Sequence, residues 1–184
     1  MPSSGSFPSV PWDPTKVSES LPTGHTLGNV YVDGETGKLY ALWQIDPALV
    51  GDQFTNGQIA YLKASLVVTN DISDAIDGAD DPIVAGVAMG TLAESTSGGT
   101  TRYGLFLIHG RHTALKTNGD DDIAAGDILV IDTANDGGCN SLDPDAETTD
   151  PGRWGRGGVG IALAADVDAA DTVDAMISAG LFTH

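Results

Sequence analysis

The side chains able to do chemistry are mostly carboxylates. Asp120-Asp121-Asp122, after Gly119, is the densest cluster, and clustered carboxylates offer the oxygen ligands that calcium takes. The alternating D-x-D-x-D-G order and the distant bidentate Glu of a calcium loop are missing, so the cluster reads as a solvated hairpin turn. The stretch 132–150, with Asp132, Asp136, Asp143, Asp145, Glu147 and Asp150, reads likewise as a hydrated loop. His109 and His112 flank Gly110-Arg111, a spacing that can chelate zinc. A zinc site needs a third ligand, however, and His25 and His184 are remote with no linking motif. The pair is therefore expected at a turn between two strands, partly buried or interfacial. Cys139 is the only cysteine, which rules out an intramolecular disulfide and a thiolate metal cage. There is no G-x-S-x-G elbow, phosphate loop or dinucleotide fingerprint. Acid pairs suited to glycoside hydrolysis exist by sheer abundance of Asp and carry no information. The sequence thus predicts no enzyme, no bound metal and no cofactor.

Recognition residues are easier to find. Arg153-Trp154-Gly155-Arg156 sets two bases around an indole within an acidic background, and Arg and Trp are the residues that most often dominate interfaces. Arg153, Trp154 and Arg156 are candidate partner contacts; the alternative is a loop that covers its own domain. At the other end, Pro2, Pro8, Pro11, Pro14 and Pro22 lie among Ser and Thr. That density forbids a helix and favours an extended strap. Phe7, Val10 and Trp12 are its candidate anchors, on a neighbouring molecule or on the chain's own domain.

Composition restricts the partners. The 184 residues carry 26 acids and 8 bases, a formal charge of -18. A field of that sign repels phosphate backbones and anionic lipid, so neither nucleic acid nor a membrane is expected as a direct partner. All the acids but Glu19, Glu35, Glu94 and Glu147 are Asp, a residue of turns more than of helices. No apolar run approaches the roughly 18 residues that cross a bilayer, and residues 1–8 do not read as a secretion signal.

The elements that must position these groups read as strands. Gly, 24 of 184 residues, joins Thr and Asp in punctuating the chain at the spacing of short strands and tight turns. Val30–Asp33 and Lys38–Trp43 flank Gly34-Glu35-Thr36-Gly37, a hairpin. Further strands are expected at 58–69, 83–92, 101–109, 112–116, 127–132, 158–165 and 172–178. For the last of these a short helix is the alternative. Strand 103–108 is apolar on both faces and is expected to be central. One phrase occurs twice: a Gly-led strand, a polar excursion, then a strand with small residues at alternate positions. Gly57–Leu62 leads to Val84–Gly90, and Gly126–Ile131 leads to Gly158–Ala164. The copies share no chemical group, so the repeat is architectural. The expected fold is all-β, a β-barrel or β-sandwich core over 28–184 with the internal repeat at about 51–92 and 120–165, preceded by an extended arm over 1–27.

The C-terminal half resembles the capsid decoration, or cement, proteins of tailed bacteriophages. The residues concerned are His112–Thr117, Ile123-Ala124-Ala125-Gly126-Asp127-Ile128-Leu129 and Gly158-Val159-Gly160-Ile161-Ala162-Leu163-Ala164-Ala165. The likeness covers about residues 100–180, with a weaker echo over 51–92. It implies a virion protein, made in the host cytoplasm, that sits on the capsid exterior. Such a protein is commonly a homotrimer, clamps neighbouring major capsid subunits, often uses an N-terminal arm and has no catalytic site. Two readings from other classes stand beside it. One is a receptor- or glycan-binding module with Trp43 or Trp154 as a sugar platform, and the other is a metal-dependent hydrolase built on the acidic loops.

Overall fold

The computed structural model describes residues 7–64, 66–76, 82–117, 123–133, 135–142, 158–166 and 171–179. The chain is mainly β. Its strands are β1 (Val30–Val32), β2 (Leu39–Ile45), β3 (Gln53–Phe54), β4 (Ile59–Ala64), β5 (Val67–Thr69), β6 (Val84–Ala88), β7 (Leu92–Ala93), β8 (Tyr103–Lys116), β9 (Ile128–Ile131), β10 (Cys139–Ser141), β11 (Gly158–Ala162) and β12 (Thr172–Ser178). Short 3-10 turns at Val50–Asp52 and Ile72–Asp74 are the helical pieces among the described residues.

Ten strands form one sheet in the order β1-β2-β5-β4-β6-β8-β12-β11-β9-β10, and a further pairing joins β2 to β8. That pairing closes β2, β5, β4, β6 and β8 into a five-stranded ring. Strand β8 belongs to two structures at once. Leu107 and Phe106 pair with Tyr40 and Ala41 of β2 on one edge and with Val87 and Ala88 of β6 on the other. Beyond them, residues 109–116 pair with β12, which continues into β11, β9 and β10. The ring and the C-terminal sheet thus share one long strand.

Local chemistry explains the pieces. In the β1–β2 hairpin the Asp33 carboxylate accepts hydrogen bonds from the Glu35 N–H (3.0 Å) and the Thr36 hydroxyl (2.5 Å), which folds the turn against itself. The span 58–69, expected as one strand, is an antiparallel pair, β4 and β5, that reverses next to Leu66 at φ 69°. The opposite happens at 101–116, where a turn was expected at Gly110-Arg111. The strand runs on, with register shifts against β2 and β12 that change which side chains face the core. Leu105, Leu107 and Leu115 are buried, and between them it is His112, not His109 or Arg111, that points inward.

Alternation along the ring strands divides the core in two. Tyr40, Leu42, Ile59, Tyr61, Leu105 and Leu107 join the inward side chains of the C-terminal sheet, among them Leu129, Val159, Val173, Ala175 and Ile177. Ile45, Phe54, Ala60, Val68, Ala88, Leu92 and Phe106 form the second cluster. The N-terminal strap docks on its own domain. Val32 N–H donates to the Pro8 carbonyl and Val10 N–H to that of Val32, while Ser18 and Tyr103 exchange backbone bonds in both directions at 2.9 Å. The strap therefore reaches from the free edge of β1 to the start of β8.

Candidate interaction surface

Strands β9, β11 and β12 bury one face against the core and leave an apolar strip on the other. Register places Ile161 beside both Met176 and Ile128, so the three side chains form one row across the sheet. They are 49%, 38% and 48% exposed, and Leu163, just past β11, is 44% exposed. Ile128, Ile161 and Met176, with Val130 and Leu142, wall a groove of about 470 Å³, floored by Gly158 and Gly160. The floor is glycine because β11 and β12 approach closely; a Cβ on Gly160 would lie 2.2 Å from the Met176 carbonyl oxygen. This row of exposed apolar side chains is the candidate contact surface.

One edge of the strip is charged. Arg111 lies opposite Met176 in the β8–β12 register and grips Asp174 with both Nε (3.0 Å) and Nη2 (2.5 Å). The guanidinium holds the Asp174 carboxyl below its ordinary value, and the carboxylate raises the Arg111 pKa in return. Arg111 is exposed and Asp174 half-buried, so the pair orders the rim and adds modestly to stability. At the opposite side Asp127 precedes Ile128, its carboxylate accepting from the Ala124 N–H at 2.8 Å.

Val10 and Trp12 are half-buried against the chain's own core, and the Trp12 indole donates to the Lys16 carbonyl at 3.0 Å. Phe7 alone of the strap anchors remains largely exposed, at 54%. Arg153, Trp154 and Arg156 lie outside the described residues, as does Asp120-Asp121-Asp122. The Trp43 indole, a possible sugar platform, packs against the second core cluster and donates to the Ala85 carbonyl at 3.1 Å. Among the described residues no three His, Cys, Asp or Glu side chains gather where they could hold a metal ion, and no helix is long and apolar enough to cross a membrane. Cys139 is fully buried, and desolvation pushes its thiol well above the ordinary range.

The apolar strip escaped sequence reading for a geometric reason. Val159 and Ile161 are two residues apart and should share a face, yet Val159 is fully buried and Ile161 half exposed. A register shift between Gly158 and Gly160 intervenes. The legible signal was Met176, an apolar residue out of phase with Val173, Ala175 and Ile177.

His112 is a buried polar group tied into the backbone on both sides of its ring. It sits on β8 beside β6, where Nδ1 accepts from the Ala114 N–H at 3.1 Å, leaving Nε2 to donate to the Ala88 carbonyl at 3.3 Å. Burial depresses its pKa and outweighs the Ala88 bond, which raises it; Lys38 and Asp174 act more weakly in opposite directions. The folded chain thus holds this imidazole neutral while the unfolded one protonates near about pH 6.5. Stability contributed here is complete above that pH and is lost as the pH falls toward the folded value, at up to about 1.4 kcal/mol per unit. Asp13, Asp33 and Asp174, whose carboxyls lie below their usual value, act only at lower pH. Urea midpoints measured at pH 7.5 and 5.5 should therefore fall for the native chain and change less in His112→Gln; equal shifts in both would remove His112 as the cause.

Comparison with known proteins finds no match: no family model, no curated protein and no solved structure resembles the chain significantly.

Proposed function

We propose that the chain is a structural virion protein that binds the outer surface of an icosahedral phage capsid and clamps neighbouring major capsid subunits. The observation that carries this reading is the exposed apolar strip of β9, β11 and β12. It is built from Ile128, Ile161 and Leu163, within the segments 123–129 and 158–165 that resemble decoration proteins, on a chain of charge -18. The same resemblance supports a homotrimer on the capsid exterior, assembled in the host cytoplasm, with no catalytic centre or cofactor.

The mechanism is mechanical. Covering the exposed halves of a few aliphatic side chains contributes about 1 kcal/mol each, a weak attachment for one copy. Repetition by symmetry, with each copy touching more than one capsid subunit, multiplies such contacts and opposes outward rupture of the shell. With Val10 and Trp12 committed to its own core, the strap is part of the domain, and among its described anchors Phe7 is the one left largely exposed.

The test uses expanded heads of the phage whose genome encodes the chain, purified without it. Added chain should co-sediment at a saturating, whole-number ratio to capsid subunits and raise the temperature at which the heads burst. Heads that stay bare at micromolar chain would overturn the reading.

A further inference from the structure

We infer that residues 8–11 of the strap are an edge cap: they occupy, within their own chain, the strand-pairing edge of β1, an edge that pairs with β1 of a second copy when the cap lifts.

Strand β1 stands at one end of the ten-stranded sheet. Val30-Tyr31-Val32 contains no charge and no Pro, the devices that protect a bare edge from pairing with another chain. Its inner edge meets β2, with Val32 opposite Leu39. Its outer edge is taken by the strap, where Ser9 bridges Val32 in parallel. The Val32 N–H donates to the Pro8 carbonyl at 2.9 Å, and the Val32 carbonyl accepts from the Val10 N–H at 3.2 Å. Both backbone groups that Val32 turns outward are thus used.

The edge that the strap offers instead is poorer. Backbone groups alternate sides along an extended chain, so with the Pro8 carbonyl and the Val10 N–H turned toward β1, Ser9 faces away and position 11 is next in phase with it. Position 11 is Pro, which has no N–H to donate, so a strand laid on the strap would meet a gap in the ladder. The cap is also anchored. Val10 and Trp12 pack partly buried against the first core cluster. Beyond them the Asp13 carboxylate accepts from the Thr15 N–H at 2.9 Å, and Ser18 and Tyr103 exchange backbone bonds. The other end of the sheet also stops on the chain's own backbone, where Thr117, just past β8, bridges Cys139 of β10.

A second copy is the occupant because a bare β1 edge is complementary to itself. Two such edges related by a two-fold axis exchange the same N–H and C=O groups, and neither strand brings a charge to the contact.

Full-length native chain, Val10→Pro and Val10→Pro/Val32→Pro are compared by sedimentation and by hydrogen exchange at the Val32 amide. Val10→Pro removes the donor that closes the cap, and in it the Val32 amide should exchange about tenfold faster, the share of one backbone hydrogen bond. Its mass should rise with concentration to twice that of the native chain. Excess peptide of the strap sequence Phe-Pro-Ser-Val-Pro-Trp-Asp should refill the edge and restore the native mass. Val32→Pro should suppress the rise, because it deletes the outward N–H of β1, which no bond to β2 uses. The peptide arm reads Val10→Pro alone and does not depend on the folding of the double variant. A Val10→Pro chain that keeps the native mass overturns the proposal: if the Val32 amide has opened, a bare edge attracts nothing, and if it has not, the cap does not hang on the Val10 bond. Association that persists with peptide, or that Ile161→Ser abolishes, places the contact elsewhere and overturns it too.

Discussion

Phe106→Ala should lower the stability of the chain by about 4 kcal/mol, the size expected when a fully buried aromatic ring is deleted from a core. Phe106 has no exposed surface, lies in β8 where β2 and β6 pair on either edge, and meets Phe54 edge to face at 5.0 Å. The loss combines the transfer of the ring with the cavity left behind, and the aromatic pair adds about 1 kcal/mol. Against a total of roughly 5–15 kcal/mol for a domain, this is a large share. Urea denaturation should show a lower midpoint with unchanged slope. A shift under about 1 kcal/mol would mean that the ring is not held shut at this point.

The second large effect concerns the joint between ring and C-terminal sheet. Gly57 donates its N–H to Ala88 of β6 at 2.9 Å and accepts from Lys116 of β8 at 3.0 Å. Its φ is +85°, and an added Cβ would sit 1.9 Å from the Ala114 carbonyl oxygen. Gly57→Ala therefore meets both a left-handed backbone and a collision with backbone that has no rotamer to move. Each costs about 1–3 kcal/mol, so a loss on the order of 3 kcal/mol and a fall in melting temperature of about 10 °C are expected. Gly126→Ala is the control, because the added Cβ there meets nothing within 4 Å and only the backbone cost remains. Equal losses in the two variants would show that the close approach at Gly57 is not what the joint requires.

That contrast qualifies the repeat seen in the sequence. Gly57 and Gly126 hold equivalent places in the repeated phrase, yet one is pressed against β8 and the other stands in open space. The copies share strand grammar, and their surroundings differ because one belongs to the ring and the other to the outer sheet.

What was legible follows the range of the interactions. The 30–43 hairpin could be read because Asp33, Gly34 and Gly37 settle it within a few residues. Strand β12 could be read because Val173, Ala175 and Ile177 alternate cleanly, and the central place of 103–108 followed from its two apolar faces. Closure of the ring could not be read. It depends on β2 meeting both β5, in parallel, and β8, pairings that join residues far apart in the chain and leave no local pattern. Strand β10 was hidden for another reason: Cys139-Asn140-Ser141 lies within an Asp- and Gly-rich stretch, and is a strand only because β9 offers it an edge. The exposed apolar strip was the least legible feature. Aromatic and arginine residues stand out in a sequence, whereas this strip is aliphatic and owes its exposure to a one-residue shift of register in β11.

The central claim is that this acidic β protein acts by covering a capsid with the outer face of its C-terminal sheet. Its most direct test is an electron cryomicroscopy reconstruction of expanded heads saturated with the chain. The account predicts one density per symmetry-related site, with Ile128, Ile161 and Met176 turned toward apolar capsid side chains. Density attached through another face with the strip open to solvent, or no added density at all, would contradict it.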